Sequence, residues 1–267
     1  MNLALALVLL LILPSSIFSQ TRESNLTRLV DPFVGTGGHG HTFPGATLPF
    51  GMVQLSPDTR LTGWDGCSGY HYSDHVIYGF SHTHLSGTGI SDYGDILLMP
   101  TVGDIHFESN PDEPAKGYAS QFTHQNETAR PGYYSVRLDD DSIFAELTAT
   151  NRVGFHRFSF PKTDRANIIL DLAHRDRVLE SYLHVIDSTH VAGFRRSEAW
   201  AKDQVVYFAL EFSRPFVVSS LNSGGEVSTA KEARGTNLKA AFRFSTQDGA
   251  PVLVKVGLSA VSIEGAR

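Results

Sequence analysis

The sequence contains two His-x-His pairs, His39–His41 and His82–His84, within one glycine-rich segment. Residues two apart on a strand project from the same side, so each pair has the spacing of two imidazole ligands for one metal ion. No third ligand follows either pair at a spacing typical of a metal site. The pairs therefore predict either a metal site or histidines that hydrogen-bond within glycine-rich loops or line a polar cleft.

Three acidic residues of the same segment, Asp65, Asp92 and Asp95, are candidates for carboxylate chemistry. Glycoside hydrolysis uses two carboxyl groups, an acid and either a base or a nucleophile. An Asp beside glycine is also a common turn residue, whose carboxylate accepts hydrogen bonds from nearby backbone amides. Residue types alone favour turn positions and leave a catalytic pair as the alternative. The regular alternating acidic loop of an EF-hand calcium site is not present.

Trp64 lies among glycines and polar residues, in the run Gly63–Tyr72. An indole in such a setting can stack on the C–H face of a sugar while neighbouring side chains bind its hydroxyl groups, and the alternative is a tryptophan of the core. Trp200 is predicted to be a core or edge residue. Cys67 could serve as a nucleophile, but a buried structural thiol is the favoured interpretation.

Composition narrows the class of protein. The 267 residues are 41% hydrophobic and 19% charged, which is ordinary globular usage and long enough to bury a large core. The net charge of −6 does not favour nucleic-acid binding. A single cysteine excludes an internal disulfide. Residues 31–103 hold 14 of the 24 glycines and 6 of the 12 histidines, so we expect functional loops there.

From residue 122 to 259 the apolar residues alternate with a period of two. Examples are Val206-Phe208-Leu210-Phe212 and Val252-Val254-Val256-Leu258. Alternation indicates strands with one buried face, and turn-forming clusters separate the runs. The pattern predicts an all-β protein, either a β-sandwich or a barrel. We favour an antiparallel β-sandwich with long Gly/His-rich loops over residues 21–260.

The two ends of the chain are predicted to lie outside this domain. Leu3–Leu13 is an apolar run too short to span a bilayer and suits the core of a secretory signal peptide, so residues 1–20 are predicted to be removed on export. Residues 261–267 directly follow a strand pattern with no closing element. We expect them to begin a linker to a further domain of a longer polypeptide.

A long glycine- and proline-punctuated motif carries a family resemblance. It comprises Asp31–Asp58 (DPFVGTGGHGHTFPGATLPFGMVQLSPD), Gly63–Asp65, Cys67–Tyr72, Gly79–Gly89 (GFSHTHLSGTG) and Asp92–Ile96. This motif resembles the opening of glycoside hydrolase family 92, the calcium-dependent exo-acting α-mannosidases. The resemblance implies an N-terminal β-sandwich that packs on an (α/α)₆ barrel, with the active site between them.

The resemblance also implies which groups this chain contributes. The catalytic acid and base of the inverting reaction, and the main ligands of Ca²⁺, belong to the barrel and match no residue here. This chain is expected to form a wall of the mannose pocket, with α-1,2-linked mannose in glycans as the expected substrate. The expected substrate-binding residues are Trp64, Asp65, Gly37, Gly38, His39, His82 and His84.

The expected partners are mannose-containing glycans and the chain's own C-terminal domain, in a secreted or periplasmic protein without nucleic acid or a membrane anchor. This chain is expected to be inactive alone. Two other hypotheses stay open: a stand-alone carbohydrate-binding β-sandwich, and a histidine-metal hydrolase complete within this chain. For the latter, replacing His39 or His82 would remove a bound ion.

Overall fold

A computed structural model describes residues 26–113 and 116–267, so the predicted signal peptide lies outside the described residues. Strands are the main regular secondary structure of the described residues, which also contain short 3₁₀ helices at Leu26–Leu29, Trp64–Gly66 and His124–Asn126 and one α-helical turn, α1 (Ile263–Ala266). The strands are β1 (Ala46–Thr47), β2 (Gln54–Asp58), β3 (Val76–Ile77), β4 (Gly79–Ser81), β5 (Leu97–Val102), β6 (Ser120–Gln121), β7 (Glu127–Arg130), β8 (Tyr133–Leu138), β9 (Ile143–Ala149), β10 (Val153–Ser159), β11 (Ala166–Asp171), β12 (Arg177–Val185), β13 (His190–Glu198), β14 (Gln204–Phe212), β15 (Val218–Ser223), β16 (Glu226–Ser228), β17 (Glu232–Gly235), β18 (Leu238–Phe244) and β19 (Val252–Ser259).

Two large antiparallel sheets contain most of these strands. The first has the order β1-β2-β4-β5-β11-β18-β15-β16, and the second has the order β17-β12-β13-β14-β19-β10-β9-β8-β7. Aromatic rings join the sheets across the interior: Phe80 lies 6.2 Å from Phe158, and Phe212 lies 5.2 Å from Phe242, between ring centroids. The predicted antiparallel β-sandwich is confirmed.

The period-two pattern of the sequence is the physical basis of this packing. Val206, Phe208, Leu210 and Phe212 of β14 are all buried, as are the alternate apolar residues of β19 from Val252 to Leu258. One face of each strand therefore supplies the core, as a half-solvated sheet requires. No helix of the described residues is long and apolar enough to cross a membrane.

Strands β11 and β18 depart from the alternation because almost every residue in them is buried. The segment after β5 covers the outer face of this pair. There Lys239 of β18 is buried, and its ammonium donates to the carbonyl oxygen of Phe107 at 2.6 Å and to Glu108 at 3.1 Å. These hydrogen bonds compensate the ammonium of Lys239 for the water that the segment after β5 excludes.

One end of the interior is polar, and Arg195 of β13 is the largest side chain buried there. Its guanidinium donates to the carboxylate of Asp95, which precedes β5, and so joins the two sheets. The Nη1 atom that donates to Asp95 also donates to the hydroxyl of Ser197. Nε donates to the carbonyl oxygen of Leu172, and Nη2 donates to the carbonyl oxygens of His174 and Asp176. All five N–H groups of the arginine are thereby used.

A histidine pair also crosses between the sheets at this end. The Nε2 atoms of His82 and His156 lie 2.9 Å apart, and Nδ1 of His82 bonds the carbonyl oxygen of Ile96 at 2.6 Å. Burial lowers the pKa of His82 to about 4 and lowers the pKa of His156 well below its usual value. Both rings are therefore neutral at physiological pH and act as hydrogen-bonding groups of the core.

Asp176 lies in the same polar region, with its Oδ2 atom buried and without a hydrogen bond. Burial raises the pKa of its carboxyl group to about 7; Arg195 opposes the rise, and the charges of Asp95 and Asp92 add to it. The unfolded chain ionises this group at an ordinary pKa, near 3.8. Ionisation therefore favours unfolding as the pH rises from about 4 to about 7.

The contrast between Arg195 and its neighbour Arg196 gives a stability prediction. Replacing Arg195 with Met leaves Asp95 as an unpaired buried charge, so we expect the free energy of unfolding in urea to fall by about 3–5 kcal/mol. Arg196 pairs with Asp203 on the surface, and its replacement with Met should cost about 1 kcal/mol or less. Similar losses in the two variants would contradict a central role for the buried pair.

A second prediction concerns the pH dependence of stability. Replacing Asp176 with Asn removes a carboxyl group that opposes folding when it ionises. The variant should therefore gain stability relative to the parent on going from pH 4 to pH 8, by roughly 4 kcal/mol. Urea denaturation at both pH values measures the difference, and a difference that does not change with pH would refute the raised pKa.

Candidate functional site

Trp64 lies at the surface, in the short 3₁₀ helix that follows Gly63. Gly63 has φ = 83°, a left-handed conformation that glycine adopts without strain. The indole is 63% exposed, which rules out the core alternative. It covers Gly89, where a Cβ atom would lie 2.4 Å from the ring, and the ring of His41 meets it edge-on with centroids 5.0 Å apart.

Asp65 brings the first histidine pair together. Its Oδ1 atom lies 2.7 Å from Nδ1 of His39 and 3.3 Å from Nε2 of His41. The hydrogen bond with His39, reinforced by His41, lowers the pKa of Asp65 below its usual value. Trp64, Asp65 and His39 are therefore neighbours on one exposed rim.

Glycine turns fold the 35–42 loop back onto Asp65. The Thr42 amide donates to the Gly35 carbonyl, and a Cβ atom on Gly40 would lie 2.0 Å from that same oxygen. Only glycine allows this approach of the two backbones. The turn places His39 and His41 on the same carboxylate although they are not in a strand.

Gly37 and Gly38 lie on the other side of this loop. Gly37 helps to line a shallow surface depression with Phe33, Thr36 and Tyr72. The carbonyl oxygen of Gly38 bonds Nε2 of His71 at 3.1 Å. These two glycines shape the loop and leave backbone atoms, not side chains, at the surface.

Arg175 fixes the loop that carries Trp64. Its Nη2 atom donates to the carbonyl oxygens of Gly66 at 2.6 Å and Cys67 at 2.5 Å, and its Nε atom donates to the hydroxyl of Ser91 at 2.8 Å. The residue has φ = 69°, and its side chain is 1% exposed. One buried guanidinium thereby joins three loops beneath the rim.

Asp58 lies beneath the same loop. Its Oδ1 atom bonds Nε2 of His84 at 3.0 Å, and its Oδ2 atom lies 3.3 Å from Nε2 of His174. Burial opposes ionisation of Asp58, but the charge and hydrogen bonds of His84 and His174 outweigh it and hold the pKa well below its usual range. A Cβ atom on Gly69 would lie 2.2 Å from Asp58, so glycine is required there.

The expectation that His82 and His84 contact a sugar is corrected. His82 is fully buried against His156, and the side chain of His84 is fully buried between Asp58 and the carbonyl oxygen of Gln54. Neither ring reaches the surface. The second His-x-His pair therefore belongs to the polar interior, because the chain passes between the two sheets directly after β4.

The carboxylates of Asp92 and Asp95 are not free for catalysis in this structure. Asp95 is fully buried and bonds Arg195, Thr83 and Gln204. Asp92 is 4% exposed and accepts a hydrogen bond from the amide of Ala201 at 3.0 Å. Asp92 also accepts a hydrogen bond from the neighbouring amide of Tyr93, as the turn-residue interpretation expects, whereas the carboxylate of Asp95 binds distant side chains. Of the three candidates Asp65 alone reaches the rim.

Two further predictions for this region have definite outcomes. Cys67 is buried, as expected for a structural thiol. Trp200 was expected in the core or at an edge, but it is 66% exposed at the turn beside Ala201. The bond from the Ala201 amide to Asp92 holds this turn, so no core contact is needed to position it.

Sequence reasoning missed the two buried arginines, Arg175 and Arg195. A signal exists for Arg195, because it lies at even spacing from Val191 and Gly193 in β13 and so shares their buried face. No comparable signal exists for Arg175, which lies in an irregular loop. Its role depends on carbonyl groups more than 100 residues away in sequence.

Calcium was expected from the family resemblance, and the residues of this rim do not suit it. In the described part of the chain, one cluster of His, Cys, Asp or Glu has ligand atoms within 4.8 Å of one another, and it consists of His39, His41 and Asp65. Calcium takes six to eight oxygen ligands, whereas this cluster offers two nitrogens and one carboxylate. Calcium binding stays a prediction for residues outside this chain.

Comparisons with known proteins agree with the fold and with the motif. The chain superimposes on a family GH92 alpha-mannosidase from Bacteroides thetaiotaomicron with a TM-score of 0.86 and 39% identity, over 91% of this chain and 34% of that one. A family GH92 inverting mannosidase from Bacteroides thetaiotaomicron VPI-5482 gives a TM-score of 0.77 and 26% identity, over 90% of this chain and 32% of that one.

A curated relative, an uncharacterized secreted glycosidase of Arthroderma benhamiae, is 34% identical over 140 residues, which is 52% of this chain and 18% of that protein. The chain therefore spans about a third or less of the length of these relatives. Residues 29–259 match the Glycosyl hydrolase family 92 N-terminal domain. The chain thus belongs to glycosyl hydrolase family 92 and contains the N-terminal domain of that family.

Proposed function

We propose that this chain is the N-terminal portion of an exo-acting, inverting α-mannosidase that removes terminal α-1,2-linked mannose from glycans. Family membership and the relatives described as mannosidases support the reaction class. The observation that carries the proposal is the exposed rim, where Trp64 presents an aromatic face beside Asp65 and His39. An aromatic face with adjacent hydrogen-bonding groups suits a sugar ring.

The rim supplies one wall of the proposed pocket. Small-molecule sites bury most of their ligand, whereas Trp64 is 63% exposed and the nearby depression is shallow. We infer that a C-terminal (α/α)₆ domain provides the opposite wall, the catalytic acid and base, and most ligands of Ca²⁺. This chain's residues then bind and orient the sugar: Trp64 stacks on it, and the carboxylate of Asp65 accepts hydrogen bonds from its hydroxyl groups.

The proposed location is outside the cytoplasm, secreted or periplasmic. The predicted signal peptide at residues 1–20 supports this, together with the relative that is described as secreted. Glycans that carry terminal mannose are available to an exported enzyme.

The first test is mannose release from a panel of α-linked mannobioses. We expect the protein made from the complete natural reading frame to release mannose, with the α-1,2 linkage preferred, and a chelator to abolish release until Ca²⁺ is restored. The 267-residue chain should release none. Because the proposed reaction inverts the anomeric centre, NMR should show β-mannose as the first product.

Release of mannose by the 267-residue chain alone would overturn the assignment of catalysis to another domain. It would direct attention to Asp65, the one of the three candidate carboxylates that reaches the surface. No release by the complete protein from any linkage would overturn the proposed activity.

A second test compares the two exposed tryptophans in the complete protein. Replacing Trp64 with Ala should lower kcat/KM for mannobiose at least about five-fold, the equivalent of losing roughly 1 kcal/mol of stacking. Trp200 is comparably exposed and is not one of the rim residues Trp64, Asp65 and His39, so its replacement with Ala should leave kcat/KM nearly unchanged. Equal effects of the two substitutions would argue against Trp64 as a sugar contact.

The alternative is a stand-alone carbohydrate-binding domain. The same exposed Trp64 favours it, because stacking on a surface aromatic is sufficient for weak sugar binding. Calorimetry of the 267-residue chain with methyl α-mannoside separates the two: measurable binding lost in the Trp64→Ala variant, with no activity in the complete protein, would support the alternative.

A further inference from the structure

The side chains of His39, His41 and Asp65 also have the arrangement of metal ligands, and this observation does not depend on the proposed function. The three side chains come from two loops, and one carboxylate oxygen receives both rings, at 2.7 and 3.3 Å. All ligand atoms of the group lie within 4.8 Å of one another. Two imidazole nitrogens and one carboxylate are the donor set of open zinc sites, and they also suit copper, nickel and cobalt.

The distances fit a metal centre with a small movement. Zinc binds nitrogen and oxygen at 2.0–2.1 Å, so the ligand atoms of a tetrahedral site lie about 3.3 Å apart. His41 and Asp65 already have this separation, at 3.3 Å. His39 lies closer to Asp65, at 2.7 Å, because the two share a hydrogen bond. Its side chain is 80% exposed and can withdraw by the half ångström that a shared ion requires.

Two of the three ligands are held in place before any ion binds. His41 is buried, its ring meets Trp64, and its carbonyl oxygen accepts a hydrogen bond from the Gly87 amide at 2.7 Å. Asp65 is in the 3₁₀ helix that ends at Gly66, and Arg175 donates a hydrogen bond to the carbonyl oxygen of Gly66. Ligands positioned by the surrounding structure lose little conformational entropy on metal binding.

The charge of Asp65 also favours a cation at this place. Within the described ranges, the ion pairs of Asp65 are those with His39 and His41, and neither a lysine nor an arginine forms a salt bridge with it. A divalent ion bound by the three side chains would provide Asp65 with a positively charged partner.

We propose that His39, His41 and Asp65 form a binding site for one divalent transition-metal ion of the Zn²⁺ type, with a coordination position open to solvent beside Trp64. The ion would join the 35–42 loop to the loop that carries Trp64. It would be distinct in ligand chemistry from the calcium expected of the family, because nitrogen donors select against Ca²⁺.

The test measures metal binding to the purified protein after chelator treatment. Co²⁺ titration followed by visible absorption, and Zn²⁺ titration in competition with a chromophoric chelator, should each give one ion per chain. Replacing His39 with Gln should weaken Zn²⁺ binding at least ten-fold, and so should replacing Asp65 with Asn. Ca²⁺ at the same concentrations should not displace Co²⁺.

His190→Gln is the matched control. His190 forms a comparable surface pair with Asp187, at 3.0 Å, but without a second histidine. This substitution should leave Zn²⁺ affinity unchanged. Thermal unfolding separates folding from binding: Zn²⁺ should raise the Tm of the parent and of His190→Gln equally, and should raise the Tm of His39→Gln by less at the same concentration.

Two outcomes would overturn the site. One is the absence of stoichiometric Co²⁺ or Zn²⁺ binding to the folded parent protein. The other is binding that His39→Gln and His190→Gln weaken equally, which would indicate unspecific surface coordination. Mannose release is not a readout here, so failure of the proposed function would leave this result unaffected.

Discussion

The burial of one positive charge between the sheets organises the functional end of this domain. Arg195 is fully buried, and burial of a guanidinium is costly unless hydrogen bonds and an opposite charge compensate it. The carboxylate of Asp95 provides the compensating negative charge. The hydroxyl of Ser197 and three carbonyl oxygens of residues 172–176 accept the other hydrogen bonds of the guanidinium. The arginine therefore determines the path of the loop after β11 as well as the pairing of the two sheets.

The loop after β11 also positions residues at the surface. Arg175 belongs to it and binds the carbonyl groups of Gly66 and Cys67, directly after Trp64 and Asp65. The exposed residues of the rim are thus held from below by buried polar contacts, while apolar packing holds the rest of the sandwich. Loops that present functional side chains commonly depend on such a rigid support.

The two His-x-His pairs show how far local spacing can be trusted. Both have identical spacing in the sequence, yet His39 and His41 converge on a surface carboxylate, whereas His82 and His84 are buried with different partners. Spacing determines only that two side chains have related directions. The face of the protein to which they point depends on strands and loops that are distant in the chain, such as β10 with His156.

The sequence by itself determined the β-sandwich, because alternating apolar residues in β14 and β19 allow only one face to be buried. It also determined the family, since the motif is long. The exposure of Trp64 was settled by the structure, because its sequence setting among glycines also allowed a place in the core. Only the tertiary structure decided which acidic residues reach the surface and which arginines are buried. The physical reason is that Asp95 and Arg195 are 100 residues apart and acquire their roles only when the two sheets bring them together.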